Sequence, residues 1–333
     1  MPPADLRSLP ETFEFEPPPL DRRAVHRLML EARCLEERLI KMSMSQDGHF
    51  WIGGPGEEAF NVPLGLLVDR GHGLAHDYLH LHYRSSAIGL AMGIEMIDFI
   101  RQMASRATDP FTGGRNFVNH LARREWNIVP VASTIETQYS VAPGTALAQL
   151  RHGGRGITIV NGGDAGSAEG DFATCLNWAN RPGHALPILM IVANNRYGIS
   201  TPFEEVAGDR IIAQRAEAFG IRWDVIDGND PDEVWPKLAR IMEYVRTERR
   251  PFCLEVSVSR LHGHSSSSGA GRVHDEVDCL DLVEERLISD GELTREECAG
   301  IRADFTQRAQ ELLRRVREEP HPDPSSIHDH TFA

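Results

Sequence analysis

The sequence predicts an α/β protein whose mostly parallel sheet is flanked by helices on both faces. The first observation is a short β-branched run at 157–160, which a helical stretch at 168–181 follows. The second is the apolar run LPILMIVA at 186–193, which has the length of a strand. Its lack of polar alternation indicates burial on both faces, as in a parallel sheet. The strand–helix–strand order therefore favours an open sheet covered by helices.

The remaining elements extend the same alternation toward both ends of the chain. Candidate strands lie at 223–226 and 252–258, with a helix at 231–246 between them. Apolar residues at spacings of three and four predict a helix over 21–45, and further helices are predicted at 58–68 and 86–105. In the tail, Thr294 and Glu297 form a capping box, which predicts a helix with an apolar stripe from 298 to 316.

One local signal defines the domain organisation. Three successive prolines at 17–19 cannot lie inside a helix, so residues 1–20 are predicted to form a flexible N-terminal arm. Residues 21–333 are then predicted to form a single α/β domain with helical N- and C-terminal extensions.

Charge and composition exclude several classes of function. The 333 residues carry a net charge of −14, which argues against a general nucleic-acid or anionic-membrane binder, since both need a basic face, but leaves room for a local basic pocket. No apolar run reaches the roughly 18 residues of a membrane-spanning helix. The acidic, proline-rich N-terminus has neither the features of a signal peptide nor those of a transit peptide. Five widely spaced cysteines without a Cys-x-x-Cys pair predict reduced thiols, a cytoplasmic location and no zinc site.

Polar residues follow the two central predicted strands. Asp164 closes the first strand, and Asn195 closes the second strand 31 residues later. Ligands of open parallel sheets bind at these carboxyl ends, where a right-handed connection brings the two side chains together. A carboxylate and an amide oxygen suit Mg²⁺, and glycines at 162, 163 and 166 let an anion approach the backbone. Because the helix predicted to begin near Ala168 directs free N–H groups to the same place, the segment predicts a metal–diphosphate site.

A purely structural interpretation of these residues stays open. Gly-Gly-Asp before a helix is a common turn, and Asn-Asn ends many strands. Two nucleotide motifs are absent, because no Gly-x-x-x-x-Gly-Lys-Ser/Thr segment is present and 162–167 does not fit Gly-x-Gly-x-x-Gly. A nucleotide-binding fold is therefore not favoured.

The segment GGDAGSAEGD followed by LPILMIVANNRYGISTP resembles the diphosphate-binding signature of thiamine-dependent enzymes, Gly-Asp-Gly with a distant Asn-Asn pair. More narrowly, residues 20–325 resemble the alpha subunit of the decarboxylating component of 2-oxo acid dehydrogenase complexes. That family has a thiamine-diphosphate-binding fold. Ala165 departs from the family pattern, since it stands where the signature has its second glycine. An alanine is tolerated there if the backbone is not left-handed.

Further segments carry the resemblance: GEEA at 56–59, HYR at 82–84, GR at 114–115 with His120, STI at 133–135 and RLHGHS at 260–265. The resemblance implies that His264 and His120 are catalytic, although His120 is equally compatible with a structural histidine. It implies Mg²⁺ ligands from Asp164, Asn195 and the backbone carbonyl of Tyr197. The implied cofactor-binding residues are Tyr83, Arg84, Ser133, Ile135, Gly163, Asp164, Ala165, Gly166, Asn195, Tyr197, Ile199, Arg260 and His264. Glu57 and Glu169 are each compatible with a carboxylate at a helix N-terminus, and this interpretation is preferred for Glu169.

The resemblance also implies cofactors and partners. It implies thiamine diphosphate and Mg²⁺, oxidative decarboxylation of a 2-oxo acid, and acyl transfer to lipoamide on a lipoyl transacylase component. Complete thiamine enzymes have a diphosphate domain and a pyrimidine domain, and this chain of 333 residues has a single diphosphate signature. The glutamate that activates the cofactor is therefore expected from a beta subunit, in an α₂β₂ heterotetramer.

The substrate is the least defined part of the prediction. ISTP at 199–202, GDRIIA at 208–213 and VIDGND at 225–230 look closer to branched-chain enzymes, which act on acids of the 3-methyl-2-oxobutanoate type. HGHS at 262–265 looks closer to pyruvate and acetoin enzymes, and SSSG at 266–269 replaces an acidic pair of the loop that docks the transacylase. Two alternatives are a non-catalytic alpha-like scaffold and a decarboxylase that releases an aldehyde.

Overall fold

The computed structural model describes residues 5–207 and 210–329. Its strands are β1 (Tyr78–His80), β2 (Thr158–Gly163), β3 (Asn180–Arg181), β4 (His184–Ala185), β5 (Ile188–Asn194), β6 (Tyr197–Gly198), β7 (Thr201–Pro202), β8 (Arg222–Asp227) and β9 (Phe252–Ser257). Its α-helices are α1 (Arg22–Ser43), α2 (Glu58–Leu67), α3 (Ser86–Ala91), α4 (Met96–Met103), α5 (Thr137–Arg151), α6 (Gly170–Ala179), α7 (Phe203–Ala207), α8 (Pro231–Glu248), α9 (Cys279–Ser289) and α10 (Arg295–Arg317). Gly208 and Asp209, quoted above for the branched-chain pattern, lie outside the described residues.

The main sheet has five parallel strands in the order β1-β2-β5-β9-β8. Four of them, β2, β5, β8 and β9, are the strands that the sequence predicts, and β1 is an edge strand that it does not. At three residues, β1 is too short to show a period-2 pattern. The predicted fold class is confirmed.

The central strand β5 is buried on both faces. Leu189 and Ile191 belong to one hydrophobic cluster, whereas Met190 and Val192 belong to a second. The first cluster includes apolar residues of α1, α2 and α8, and the second includes residues of α5 and α6. Because helices cover both faces, neither side of β5 needs a polar residue, which explains its continuous apolar run.

Two helix predictions are corrected. The predicted helix at 86–105 is divided into α3 and α4, and Gly93 between them has a φ of +101°, which a helix does not allow. The stretch predicted as helical from 168 begins instead with a 3₁₀ turn at Ala165–Ala168, and α6 starts only at Gly170. The second break lies in the loop of Asp164 to Gly166, which forms part of the cleft described below.

The described part of the predicted N-terminal arm lies along the domain. The Ser8 N–H donates to the Trp223 carbonyl at 2.7 Å, and the Trp223 N–H donates to Leu6 O at 3.0 Å. Further along, the indole N–H of Trp235 donates to Pro18 O at 2.7 Å. The division into an arm at 1–20 and one domain at 21–333 stays a prediction, and these contacts show where residues 5–20 are attached.

All five cysteines are buried free thiols. Among the helices in the described ranges, none is both long enough and apolar enough to cross a membrane.

Candidate functional site

A cleft of about 210 Å³ opens at the carboxyl ends of β2 and β5. Asp164 directly follows β2, and its backbone N–H donates to Ala193 O at 3.2 Å. Asn195 directly follows β5. The register pairs Gly163 with Ala193 across the two strands. The parallel register therefore sets the two predicted metal ligands at adjacent strand ends, and both line the cleft.

Most residues that the resemblance assigned to cofactor binding line this cleft. They are Tyr83, Arg84, Ile135, Gly163, Asp164, Ala165, Gly166, Asn195, Tyr197, Ile199 and His264. Ser133, Arg260 and the predicted catalytic residue His120 do not line it. The fold thus brings together segments that are as far apart in sequence as 83 and 264.

Asp164 and Asn195 present a donor set that fits a hard cation. Asp164 is 3% exposed, and its Oδ2 is buried without a hydrogen-bond partner in the described ranges. Burial raises the pKa of Asp164 to about 6. Asn195 Oδ1 accepts one hydrogen bond, from the Tyr197 N–H at 3.2 Å, which leaves a second lone pair for a metal. An unpartnered carboxylate oxygen beside an amide oxygen is suited to Mg²⁺.

The backbone conformation at Ala165 explains how an alanine is accommodated where the family signature has its second glycine. Ala165 lies in the 3₁₀ turn and is not among the residues with positive φ. Its methyl group is accommodated by Gly198, where an added Cβ would lie 2.5 Å from the Ala165 Cβ. The predicted condition for an alanine, a backbone that is not left-handed, is therefore met, and the space is provided by a glycine from β6.

A basic group lies beside these oxygen ligands. The Arg84 Nη2 donates to His264 Nδ1 at 3.1 Å, so the neutral His264 ring carries its proton on Nε2. The pKa of His264 is lowered to about 4 by burial and by the charges of Arg84 and Arg260. The guanidinium of Arg260 lies 4.9 Å from the centroid of the Tyr197 ring. Its Nε and Nη1 are buried and have no partner among the described residues. A buried cation without a partner fits an anionic ligand.

His120 and Ser133 contact each other outside the cleft. The ring of His120 is 2% exposed, and its Nε2 forms a hydrogen bond with Ser133 Oγ. Burial lowers the pKa of His120. His120 also contributes, after burial and the charges of Arg84 and His264, to the lowered pKa of the cleft residue His82. The catalytic role of His120 and the binding role of Ser133 stay predictions.

Comparison with known proteins identifies the family. Residues 26–325 match the family described as the dehydrogenase E1 component. The chain belongs to this family. The resemblance that the sequence motifs predicted is thereby confirmed, because the match includes Asp164, Asn195 and every other segment that lines the cleft.

Similar proteins are alpha subunits of one dehydrogenase. The E1 chain is 32% identical over 248 residues to the 2-oxoisovalerate dehydrogenase subunit alpha of Bacillus subtilis, covering 74% of this chain and 73% of that protein. It is 26% identical over 324 residues to the mitochondrial human protein of the same name, covering 94% and 71%. With the mitochondrial protein of Caenorhabditis elegans it shares 32% over 232 residues, 68% of this chain but only 52% of the relative. The matched region thus spans about half of that relative.

Glu136 is a cleft residue of the E1 chain that the sequence did not indicate. It has a φ of +62°, and its Oε1 accepts a hydrogen bond from the Gly163 N–H at 3.0 Å. A Cβ at Gly162 or Gly166 would overlap its carboxyl group. Of the three glycines at 162, 163 and 166, Gly163 has open space where a Cβ would be, whereas the missing Cβ atoms of Gly162 and Gly166 make room for the Glu136 carboxyl group. No periodicity or motif marks a single acid in a loop.

Acidic groups dominate one side of the cleft in the E1 chain. Burial raises the pKa of Glu136 to about 8 and that of Glu57 to about 7. Glu57 Oε1 is buried and has no hydrogen-bond partner in the described ranges. Glu169 precedes α6 and also lines the cleft, but its side chain does not cap the helix. Near pH 7 the raised pKa keeps Glu136 mostly protonated, whereas Asp164, with a pKa of about 6, is mostly ionised and would repel a diphosphate unless a cation lay between them.

The mouth of the cleft is apolar and exposed. Ile135 is 46% exposed, Tyr197 38% and Ile199 55%, and all three line the cleft. Exposed apolar side chains grouped around a polar site are typical of a surface that another molecule covers. The cleft of the E1 chain is therefore bordered by exposed apolar side chains on the side where it opens.

Proposed function

We propose that this E1 chain is the alpha component of a branched-chain 2-oxo acid dehydrogenase and that it binds the diphosphate end of thiamine diphosphate through Mg²⁺. One observation carries the proposal: the buried, unpartnered Oδ2 of Asp164 at a strand end beside Asn195. The unpartnered guanidinium of Arg260 supports it, since the charges of Arg260 and Asp164 are close enough to shift each other's pKa.

Each cleft residue has a defined part in this proposal. Thiamine diphosphate, when bound, supplies the carbanion chemistry that decarboxylation of a 2-oxo acid requires. Asp164, Asn195 and the Tyr197 carbonyl would hold Mg²⁺, and Arg84 and Arg260 would offset the diphosphate charge.

Two further residues would act near the reacting end of the cofactor, one through a hydrogen bond and one through apolar contact. His264 is neutral near pH 7, because its pKa is about 4, and it would donate a hydrogen bond from Nε2. Ile135, exposed at the mouth, would support the bent cofactor.

The chain would act with a beta subunit in an α₂β₂ assembly. Ile135, Tyr197 and Ile199 expose apolar area that the partner would cover, and that partner would bring the glutamate that activates the cofactor. The acyl group would pass to a lipoyl transacylase. The cytoplasmic location of the assembly stays a prediction.

Titration of the complex of this chain and its beta subunit with thiamine diphosphate and Mg²⁺ tests the cofactor site. Calorimetry should detect binding to the unchanged complex and lose it with Asp164→Ala. Asp171→Ala is the matched control, because Asp171 lies on the adjacent α6 and hydrogen-bonds Ser140 outside the cleft. Unchanged affinity with Asp164→Ala, or no binding to the unchanged complex, would instead support the non-catalytic scaffold.

Substrate preference is tested with 3-methyl-2-oxobutanoate, pyruvate and acetoin on the reconstituted complex. The names of the relatives favour the branched-chain acid, whereas the HGHS segment at 262–265 favours the other two. A higher kcat/KM for pyruvate or acetoin would contradict the branched-chain assignment without affecting the cofactor site. Release of free aldehyde in the presence of the transacylase component would contradict acyl transfer.

A further inference from the structure

Three side chains that can bind a metal meet where α1, α9 and α10 pack together. His26 comes from α1, Glu284 from α9 and Cys298 from α10, and their nearest ligand atoms all lie within 4.8 Å of one another. Across 5–207 and 210–329, this is the only group of three or more His, Cys, Asp or Glu side chains with that spacing. None of the three lines the cofactor cleft.

The distances are close to those of a tetrahedral metal site. The His26 Nε2 and Glu284 Oε1 are 3.2 Å apart. Zinc binds nitrogen and oxygen at about 2.0 Å, so two such ligands of a tetrahedral ion lie about 3.3 Å from each other. The Cys298 sulfur needs to approach its two neighbours to about 3.5 Å, the separation that follows from a Zn–S bond of about 2.3 Å. Rotation of the short cysteine side chain supplies a movement of this size.

The ligand atoms have few competing partners. His26 is 0% exposed and Cys298 is 3% exposed. Within the described chain, the His26 ring forms one hydrogen bond, between Nε2 and Glu284 of the same group, and its Nδ1 is buried without a partner. Two other buried thiols donate hydrogen bonds, Cys34 to the Arg302 carbonyl and Cys279 to the Glu58 carboxylate. Cys298 makes no such bond within the described residues. Its thiol is therefore free to exchange its proton for a metal.

Charge and position both favour a divalent ion at this junction. A thiolate and a carboxylate together balance the two charges of the ion, which keeps the buried site neutral. Cys298 lies one residue after the capping box formed by Thr294 and Glu297, in the first turn of α10. Burial and the charges of Glu284 and Glu297 raise the pKa of Cys298, and the N–H groups at this helix end offset part of that cost when a metal replaces the thiol proton.

We propose that His26, Glu284 and Cys298 form a binding site for a thiolate-preferring divalent metal such as Zn²⁺. Glu284 is the partly exposed ligand, with 21% of its side chain accessible, so water completes the tetrahedron on its side. The ion links the long helices α1 and α10 to α9. It lies outside the Mg²⁺ site proposed above and is independent of it.

Cobalt substitution tests the site directly. The metal-free complex of this chain and its beta subunit is titrated with Co²⁺, whose absorption shows whether a thiolate is bound and whether coordination is tetrahedral. We expect one Co²⁺ per chain, a sulfur-to-cobalt charge-transfer band, and displacement by Zn²⁺. Thermal unfolding should shift to higher temperature when Zn²⁺ is added.

Variants separate this site from other thiols. Cys298→Ala should lose the charge-transfer band, and Glu284→Gln, at a partly exposed position, should weaken binding without unfolding the chain. Cys34→Ala is the matched control, since Cys34 is also buried and on α1 but is not part of the cluster. Absence of the band in the unchanged chain, or its persistence in Cys298→Ala, would overturn the proposal. Binding of thiamine diphosphate with Mg²⁺ is measured in parallel and should be the same in all three variants.

Discussion

Two arginines of this E1 chain show how a structural ion network differs from a binding site. Arg33 is 2% exposed and donates to Glu58 at 2.7 Å and to Asp278 at 2.8 Å. Arg260 is half-buried, and two of its guanidinium nitrogens have no partner in the part of the chain that is described. The network around Arg33 is complete without a ligand, whereas the Oδ2 of Asp164 in the cleft and the guanidinium of Arg260, which lies near Asp164 but outside the cleft lining, are unsatisfied. The difference indicates that the cleft is shaped for charges that the chain does not provide.

Removal of Arg33 should give the largest effect on folding. Arg33→Met leaves Glu58 buried without a cation and leaves Asp278 paired with Arg272 alone, and breaking a buried ion pair in this way costs about 3–5 kcal/mol. Urea denaturation of the complex should show this loss in the free energy of unfolding. A loss below about 1 kcal/mol would mean that the network contributes no more than an exposed ion pair.

The acid side of the cleft should make the stability of the cofactor-free chain depend on pH. Glu136 has a folded pKa of about 8, against an ordinary value of 4.5. Its protonated form is favoured by folding, so this contribution is complete below pH 4.5 and is lost as the pH rises toward 8. Each unit of pKa difference corresponds to about 1.4 kcal/mol. The free energy of unfolding should therefore fall between these pH values, and Glu136→Gln should reduce that fall. An identical pH profile in the variant would contradict the raised pKa.

The contact between Gly198 and Ala165 should affect the cleft more than the fold. In Gly198→Ala the new methyl group would lie 2.5 Å from the Ala165 Cβ, and overpacking of this kind costs about 1–3 kcal/mol. We expect weaker binding of thiamine diphosphate with Mg²⁺ by calorimetry. The double variant with Ala165→Gly removes the overlap and should restore the affinity. Failure of the double variant to do so would mean that Gly198 acts in another way.

Removal of Arg260 should have the smallest effect on folding. Arg260→Met removes a cation that has no anionic partner, so the free energy of unfolding should change by no more than about 0.5 kcal/mol. The affinity for thiamine diphosphate should nevertheless fall, because the diphosphate loses a charge-assisted donor. If the variant instead unfolds as readily as Arg33→Met, the two arginines do not differ in the way proposed.

Local sequence patterns accounted for much of the sheet and part of the cleft. The apolar run of β5 and the β-branched run of β2 predicted the two central strands, and their ends located Asp164 and Asn195. Predictions failed where no local pattern exists. The three-residue strand β1 and the break at Gly93 involve too few residues to produce a detectable periodicity. Glu136 is a single residue in a loop and belongs to no periodic pattern.

The sequence by itself determined the fold class, the family and the two strand ends, because these depend on periodicity and on motifs within short segments. Tertiary structure alone decided which distant groups meet. Arg84 and His264 are 180 positions apart yet share a hydrogen bond, and Ser133 pairs with His120 instead of lining the cleft. The cysteine spacing likewise predicted no zinc site, whereas helix packing brings Cys298 to His26 and Glu284. The sequence specifies which functional groups are present, but the distances between those groups are fixed only when the chain packs.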